Sequence, residues 1–345
     1  HDFTPMSFHQ NERIGELAAF GHAALYGTLP LFIVLSKDVV SPLFFIGASF
    51  LCAGLFMAPL AFYSEPDRMR LHRQAALPFA IGLIIIMLVI YPLMTIAGQK
   101  TSAGNIAILS QTEVFFSFLL FGLLGTEQIT KGRLVGAALI VAGATAVLLQ
   151  NVHGAVSVWD AMIVLAVALA PLANHFQKAT LRLMGPMTVV AWRNLISGVL
   201  LIGAGVLLEG VDLGELTRQQ LLLIALNGLL AFGIAKWLLF IGFHRIGVAK
   251  TITINGTAPA VTLLLAFLVL QEAPTLSQLF GLAMIGIGVY MITMRQTTHF
   301  TGSVVTGDRI GTTLGFPTLN LQTKAKLPAG VYAARATLTE QVYPA

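Results

Sequence analysis

Ten apolar stretches, each close to twenty residues, occupy this chain almost from end to end, and a water-soluble domain has no interior large enough to bury them all. They fall near residues 14–35, 41–63, 75–96, 102–124, 131–150, 156–177, 186–208, 218–242, 247–270 and 275–294. Each matches the length a helix needs to cross about 30 Å of hydrocarbon. Helices are the form they must take, because an open sheet edge in lipid leaves backbone groups without partners. Composition agrees: of 345 residues, 56% are hydrophobic and 10% charged, with a mean hydropathy of +0.83. The expected fold is an all-α polytopic membrane protein of ten transmembrane helices. Ser41-Pro42, Gly185-Pro186 and Ala273-Pro274 punctuate the turns, where a first helical turn tolerates proline.

The formal charge of +5 does not point to nucleic acid, since the basic residues are scattered between apolar runs and form no patch. Their distribution instead predicts orientation. Arg13, Arg68, Arg70, Arg73, Lys131, Arg133, Lys178, Arg182, Arg245 and Arg295 fall on one side, against Lys37, Lys100 and Arg218 on the other. This bias places both termini in the cytoplasm, and a bacterial inner membrane is the expected location. A single cysteine, Cys52, excludes a disulfide framework or a cysteine zinc site. The chain starts at His1 and stops at Ala345 within a pattern, so both ends read as truncated, and no cleavable signal peptide is recognisable.

A repeat links the fifth and tenth spans. Glu127, Gly136 and Gly143 recur as Glu272, Gly281 and Gly288 at a constant offset of 145, and Pro42 recurs as Pro186 at 144. Five spans per copy is an odd number, so the second copy inserts upside down, and a substrate site is expected near the midplane between two inverted five-helix repeats. The predicted division is 1–150 for the first repeat, 151–296 for the second and 297–345 for a tail.

The run from Thr101-Ser-Ala-Gly-Asn105 through Leu124-Gly-Thr-Glu127 to Gly143, with its echo from Gly247 through Ala258-Pro259 and Gln271-Glu272 to Gly288, resembles the EamA family of the drug/metabolite transporter superfamily over residues 14–294. That resemblance implies a transporter needing no cofactor, for a substrate drawn from amino acids, nucleotide sugars, drugs or vitamins. The first repeat departs from the family pattern: Glu113-Val114 stands where the second has the usual Ala258-Pro259.

An intramembrane carboxylate costs about 2.5–3.5 kcal/mol on insertion scales, which makes Glu113 the leading pathway candidate. It reads either as a group that contacts substrate or a coupling proton, or as one end of a helix-to-helix hydrogen bond, and Gln111 fits both. Arg193 and Lys236 lie six or seven residues from a cytoplasmic span end, close enough to snorkel or to contact substrate. Asn174, His175 and Gln177 cluster late in the sixth span, and Asn255, Asn227 and His22 are further polar candidates. Tyr26, Tyr91, Trp192 and Trp237 are placed to stack on a planar substrate or to anchor at the interface. Glu127 and Glu272, at span ends, read as caps.

After residue 296 the long apolar runs give way to short alternating segments, Ser303–Thr306 and Gly330–Leu338, which predict strands. Gly307, Gly311 and Gly315 form a loop whose amides can approach phosphate, a pattern that by itself also fits an ordinary turn. The whole pattern, Gly302-x-Val304, Gly307-Asp-Arg, Gly311, Leu314-Gly-Phe-Pro-Thr318-x-Asn320, Leu327-Pro328 and Gly330-Val-Tyr-Ala333, resembles the opening of a riboflavin kinase (flavokinase) β-barrel over residues 300–345. The resemblance implies that the glycine loop covers ATP, and that Thr318 and Asn320 hold magnesium and phosphates, Thr318 as metal ligand. Thr312 stands where arginine is usual and Leu319 where alanine is usual. The family's catalytic glutamate lies further downstream, and Glu340 is misplaced for it, so no catalytic residue is assigned in this chain.

The two resemblances converge on one vitamin, since some EamA proteins carry riboflavin. The expected protein is a riboflavin importer fused to a partial flavokinase segment, a fragment of a longer fusion in which ATP and magnesium would serve phosphorylation of riboflavin to FMN. Phosphorylation on the cytoplasmic side would trap the vitamin as an anion. An EamA exporter of another metabolite such as amino acids, and a membrane-anchored riboflavin kinase, remain the alternatives. The expected partners are the lipid bilayer and the small substrate, a homodimer stays open, and nucleic acid is excluded.

Overall fold

Glycines allow two helices to approach until their backbones touch, and in the absence of a hydrophobic force between helices in lipid this close approach is what holds spans together. The computed structural model describes residues 8–66, 73–124, 129–150, 156–246 and 248–293, and in the tail 303–305, 320–322, 335–338 and 341–344. The chain divides into two compact units, His1–Met294 and Arg295–Ala345.

Among the described residues of the first unit, nine helices are long and apolar enough to span a membrane. They are Glu12–Leu35, Pro42–Ser64, Arg73–Gly98, Ala103–Leu123, Lys131–Leu148, Val158–Thr180, Pro186–Leu208, Arg218–Ile246 and Leu276–Thr293. Nine of the ten expected spans are matched by these helices among the described residues. The predicted span over 247–270 is divided into Val248–Asn255 and the shorter apolar helix Ala258–Leu270. At Gly256-Thr257 the helix tightens for one turn, the Thr257 amide bonding three residues back, to Ile254, while Thr257 keeps helical backbone angles. The fourth span has the same feature at Gln111-Thr112, between Ala103–Ser110 and Glu113–Leu123.

Two further irregularities match in position. Residues Ile84–Ile90 of the third span and Gly228–Ile234 of the eighth are wound as π-helix, 144 residues apart. Such segments widen the turn and re-aim the side chains that follow. Here those are Tyr91 and Lys236.

The fifth and tenth spans meet at the glycines that carry the repeat. A Cβ on Gly136 would lie 2.8 Å from the Gly288 carbonyl oxygen, and one on Gly288 would lie 2.5 Å from that of Gly136. Gly143 and Gly281 face each other in the same way, at 3.0 and 3.1 Å. The second and seventh spans join at their ends. Pro42 and Pro186 open them, and a carboxylate from the end of each caps the other: Glu65 accepts from the amides of Met187 and Thr188, Glu209 from those of Leu43 and Phe44.

The main core lies between the spans, around Phe45, Phe50, Ile106, Ile108, Ile140 and Ile163, all fully buried. Leucines such as Leu207 and Leu276 face outward, 83% and 85% exposed, as lipid contact requires.

In the second unit the described residues form two antiparallel ladders. Strand β1, Ser303–Val305, pairs with β2, Asn320–Gln322, and β3, Arg335–Leu338, pairs with β4, Gln341–Pro344. Gly307, Gly311, Gly315 and Thr318 lie outside the described residues, and Asn320 opens β2.

Candidate functional site

Charged side chains inside a membrane must pair or face an internal cavity. Glu113 is the first residue of the half-helix Glu113–Leu123, directly after the break in the fourth span. The amides around it are bonded back across the turn, Thr112 to Leu109 and Val114 to Gln111. Ala258 holds the corresponding first position after the break in the ninth span. The half-buried Glu113 carboxylate accepts a hydrogen bond at 2.8 Å from the Asn174 amide of the sixth span. The helix-to-helix bond anticipated for this residue is therefore present, and its partner is another of the sequence candidates.

Glu113 also lies within electrostatic reach of Lys236, and Lys236 of Arg193. Of the two readings for these cations, snorkelling or an inward contact, the side chains take the inward one. The ammonium of Lys236 sits 4.3 Å from the centre of the Tyr26 ring, a cation–π contact that turns the side chain inward. The Arg193 guanidinium donates to the side-chain oxygen of Gln177 and lies 3.6 Å from the Met87 sulfur, while its Nε is buried and unpaired.

Aromatic rings complete the surround. The Tyr26 and Tyr91 hydroxyls are 3.3 Å apart. His22, fully buried and hydrogen-bonded at 2.9 Å to the Ala235 carbonyl, stacks beside Tyr26 with ring centres 5.5 Å apart. Phe50, Tyr91 and Phe232 meet edge to face in a triangle of 4.9–5.4 Å. The first, second, third, fourth, sixth, seventh and eighth spans thus all contribute to this centre and its aromatic surround. It brings together two cations, one carboxylate, amides and flat apolar faces.

The other predicted residues lie apart from these contacts. His175 is exposed and touches Phe176 edge-on. Asn255 stands just before the break in the ninth span, its amide oxygen buried and unpaired. Gln111 lines a separate cavity of about 230 Å³ with Gly256, Thr257, Pro259 and Tyr290. Asn227 is buried and donates to Ser49 at 3.0 Å. Trp192 is 41% exposed, and Trp237 packs beside Met57.

A second polar group, at the opposite turns of the fourth and sixth spans, was not singled out by sequence. Asp160, 3% exposed, accepts from the Thr101 hydroxyl at 2.5 Å and the Asn105 amide at 3.0 Å. Asn105 in turn accepts from Gln150 and Gln278, each at 2.8 Å, and Gln278 also donates to Ser102. A cavity of about 470 Å³ borders this network. The groups satisfy one another, so the network reads as a fastening between spans. Asp160 sits in the first turn of its helix, where an acid usually signals only a helix start. Its burial has no sequence signal. Glu272 does cap, as its place at a span end suggested, accepting a hydrogen bond from the Ala103 amide.

Comparison with known proteins places these features. A model of the EamA-like transporter family matches residues 13–149 and again 157–294. A riboflavin kinase model matches residues 294–345. No curated protein sequence matches. Among solved structures, one crystal structure aligns with a TM-score of 0.59 at 19% identity, over 80% of this chain and 95% of its own, which shows a shared fold.

Proposed function

The chain belongs to the EamA-like transporter family, whose members move small metabolites across membranes, and we propose that its substrate is riboflavin, taken up through the Glu113 centre. The observation that carries this reading is the tail: residues 294–345 match riboflavin kinase, an enzyme that uses ATP and magnesium to consume that vitamin. Phosphorylation after uptake would retain riboflavin as anionic FMN.

The centre has the chemistry for an isoalloxazine ring. Arg193 and Lys236 donate to ring carbonyls and nitrogens, Glu113 and Asn174 meet imide or ribityl hydrogens, and Tyr26, Tyr91 and Phe232 offer faces for stacking. Two inverted halves are supported by the paired family matches. The reciprocal glycine contacts, the matched π segments and the matched breaks support them as well. On this reading both termini lie in the cytoplasm of a bacterium, as the arginine and lysine bias implies.

A riboflavin-requiring bacterium supplies the test. The full chain, and residues 1–298 alone, are expected to restore growth at low riboflavin. Failure of both removes riboflavin uptake as the function. Growth with the full chain alone would instead make the tail the active part, as in a membrane-anchored kinase.

A further inference from the structure

Lys250, in the first half of the broken ninth span, reaches the first span, where its ammonium lies 2.7 Å from Glu12 and 2.5 Å from Glu16. The positions are informative. Glu16 precedes Asp160 by 144 residues and Lys250 follows Asn105 by 145, the same offsets that relate the two matched halves elsewhere. The Glu16–Lys250 contact is therefore the positional counterpart of the Asp160–Asn105 contact. If the halves are inverted, the two contacts lie at opposite ends of the pathway, with the Glu113 centre between them.

We propose that Lys250 with Glu12 and Glu16 forms one of two latches that close opposite ends of the transport pathway, the Asn105–Asp160 network being the other. This rests on the transporter reading with inverted halves, and on its orientation for which end is which. In each case a residue near the start of a broken span (the fourth or ninth) grips a carboxylate near the start of a partner span (the sixth or first). Opening an end requires that grip to release.

The two latches differ in kind. Asp160 is 3% exposed and held by neutral donors that are themselves paired, so salt does not reach it. The side chains of Lys250, Glu12 and Glu16 are 42%, 42% and 39% exposed, and an exposed ion pair is screened. The Lys250 end is thus the weaker closure, and its opening becomes easier as ionic strength rises. On the proposed orientation this is the cytoplasmic end, suited to releasing an imported substrate.

The test uses the full chain with Cys52→Ala, a reporter His22→Cys at the buried side of the centre, and either of two cysteine pairs, Glu16→Cys with Lys250→Cys or Asn105→Cys with Asp160→Cys. Each pair is joined by a short bifunctional thiol reagent, and the reporter, unmasked afterwards, is labelled by an impermeant thiol reagent in right-side-out and inside-out vesicles. Crosslinking the first pair is expected to slow labelling from the cytoplasmic face by about tenfold or more, and the second from the outer face, because each crosslink holds one closed state. Crosslinks that slow labelling from the same face, or from neither, overturn the latches. The readout needs no substrate, so it stands apart from the riboflavin assignment, and opposite effects on reversed faces uphold the latches while refuting the orientation. Without crosslinks, Lys250→Glu is expected to speed labelling from its own face, and Glu12→Lys with Glu16→Lys added to restore it. An increase without restoration refutes the ion pair as the closing contact.

Discussion

Glu65 and Glu209, 144 residues apart, each seal the N-terminus of the helix that the other ends. Glu65, just past Pro42–Ser64, takes the amides of Met187 and Thr188 at 3.2 and 2.9 Å. Glu209, just past Pro186–Leu208, takes those of Leu43 and Phe44 at 2.9 and 3.0 Å. Each helix starts with a proline, which removes one orphan amide, and a carboxylate from its antiparallel neighbour satisfies two more. Local caps would tie each helix only to its own loop. These carboxylates tie the two helices together at both ends.

Glu65→Ala and Glu209→Ala are each expected to cost about 1–3 kcal/mol, the range for charge-assisted hydrogen bonds at a helix start. Thermal unfolding in detergent checks this. The two losses should be similar and add in the double variant, because the caps lie at opposite ends of the helix pair.

Gly288→Val places a side chain where even a Cβ would be 2.5 Å from the Gly136 oxygen. Separation of the fifth and tenth spans should cost about 1–3 kcal/mol, the range for overpacking. Gly132→Ala in the same fifth span, where a Cβ meets nothing within 4 Å, is expected to be neutral or stabilising by up to about 1 kcal/mol. Paired melting curves separate the two.

Glu113→Gln keeps an acceptor for the Asn174 amide but removes the charge facing Lys236. Uptake of labelled riboflavin into vesicles should fall at least about tenfold, with protein yield and melting temperature nearly unchanged, since the loss falls on transport rather than on packing. A large drop in melting temperature together with uptake would return Glu113 to a structural part.

Glu272 is half-buried, and burial raises its pKa, with the Ala103 hydrogen bond only partly opposing the rise. A carboxyl group whose pKa is higher folded than unfolded favours the folded state while protonated and loses that advantage as pH rises through the folded value. The melting temperature of Glu272→Gln, minus that of the parent, should therefore increase from acidic to neutral pH. A difference that does not change with pH would show that ionised Glu272 carries no burial penalty.

Much of the membrane unit was legible because the bilayer leaves few choices. Span positions followed from apolar length, and the glycine and glutamate spacings disclosed the repeat before any contact was known. Glu113 was legible for the same reason, as a charge where charge is costly. The turn at Gly256-Thr257 in the ninth span left no sequence signal, because it shifts one hydrogen bond from four residues back to three without interrupting hydropathy. Glu65, Glu209 and Asp160 were passed over, since an acid near a helix end carries the same sequence signal whether it faces water or a neighbouring helix.

By itself the sequence determined the class of protein, the approximate spans, the family of the first 294 residues and the kinase likeness of the last 52, because these depend on local composition and spacing. Only the tertiary structure decided which polar residues meet. It turned Lys236 onto Tyr26 and Arg193 onto Gln177, joined Glu113 to Asn174, and paired Asp160 with Asn105 and Glu16 with Lys250. Those pairings lie between helices distant in sequence, and they depend on the rotation of each helix about its axis. Packing against neighbouring helices sets that rotation, and no single span encodes it.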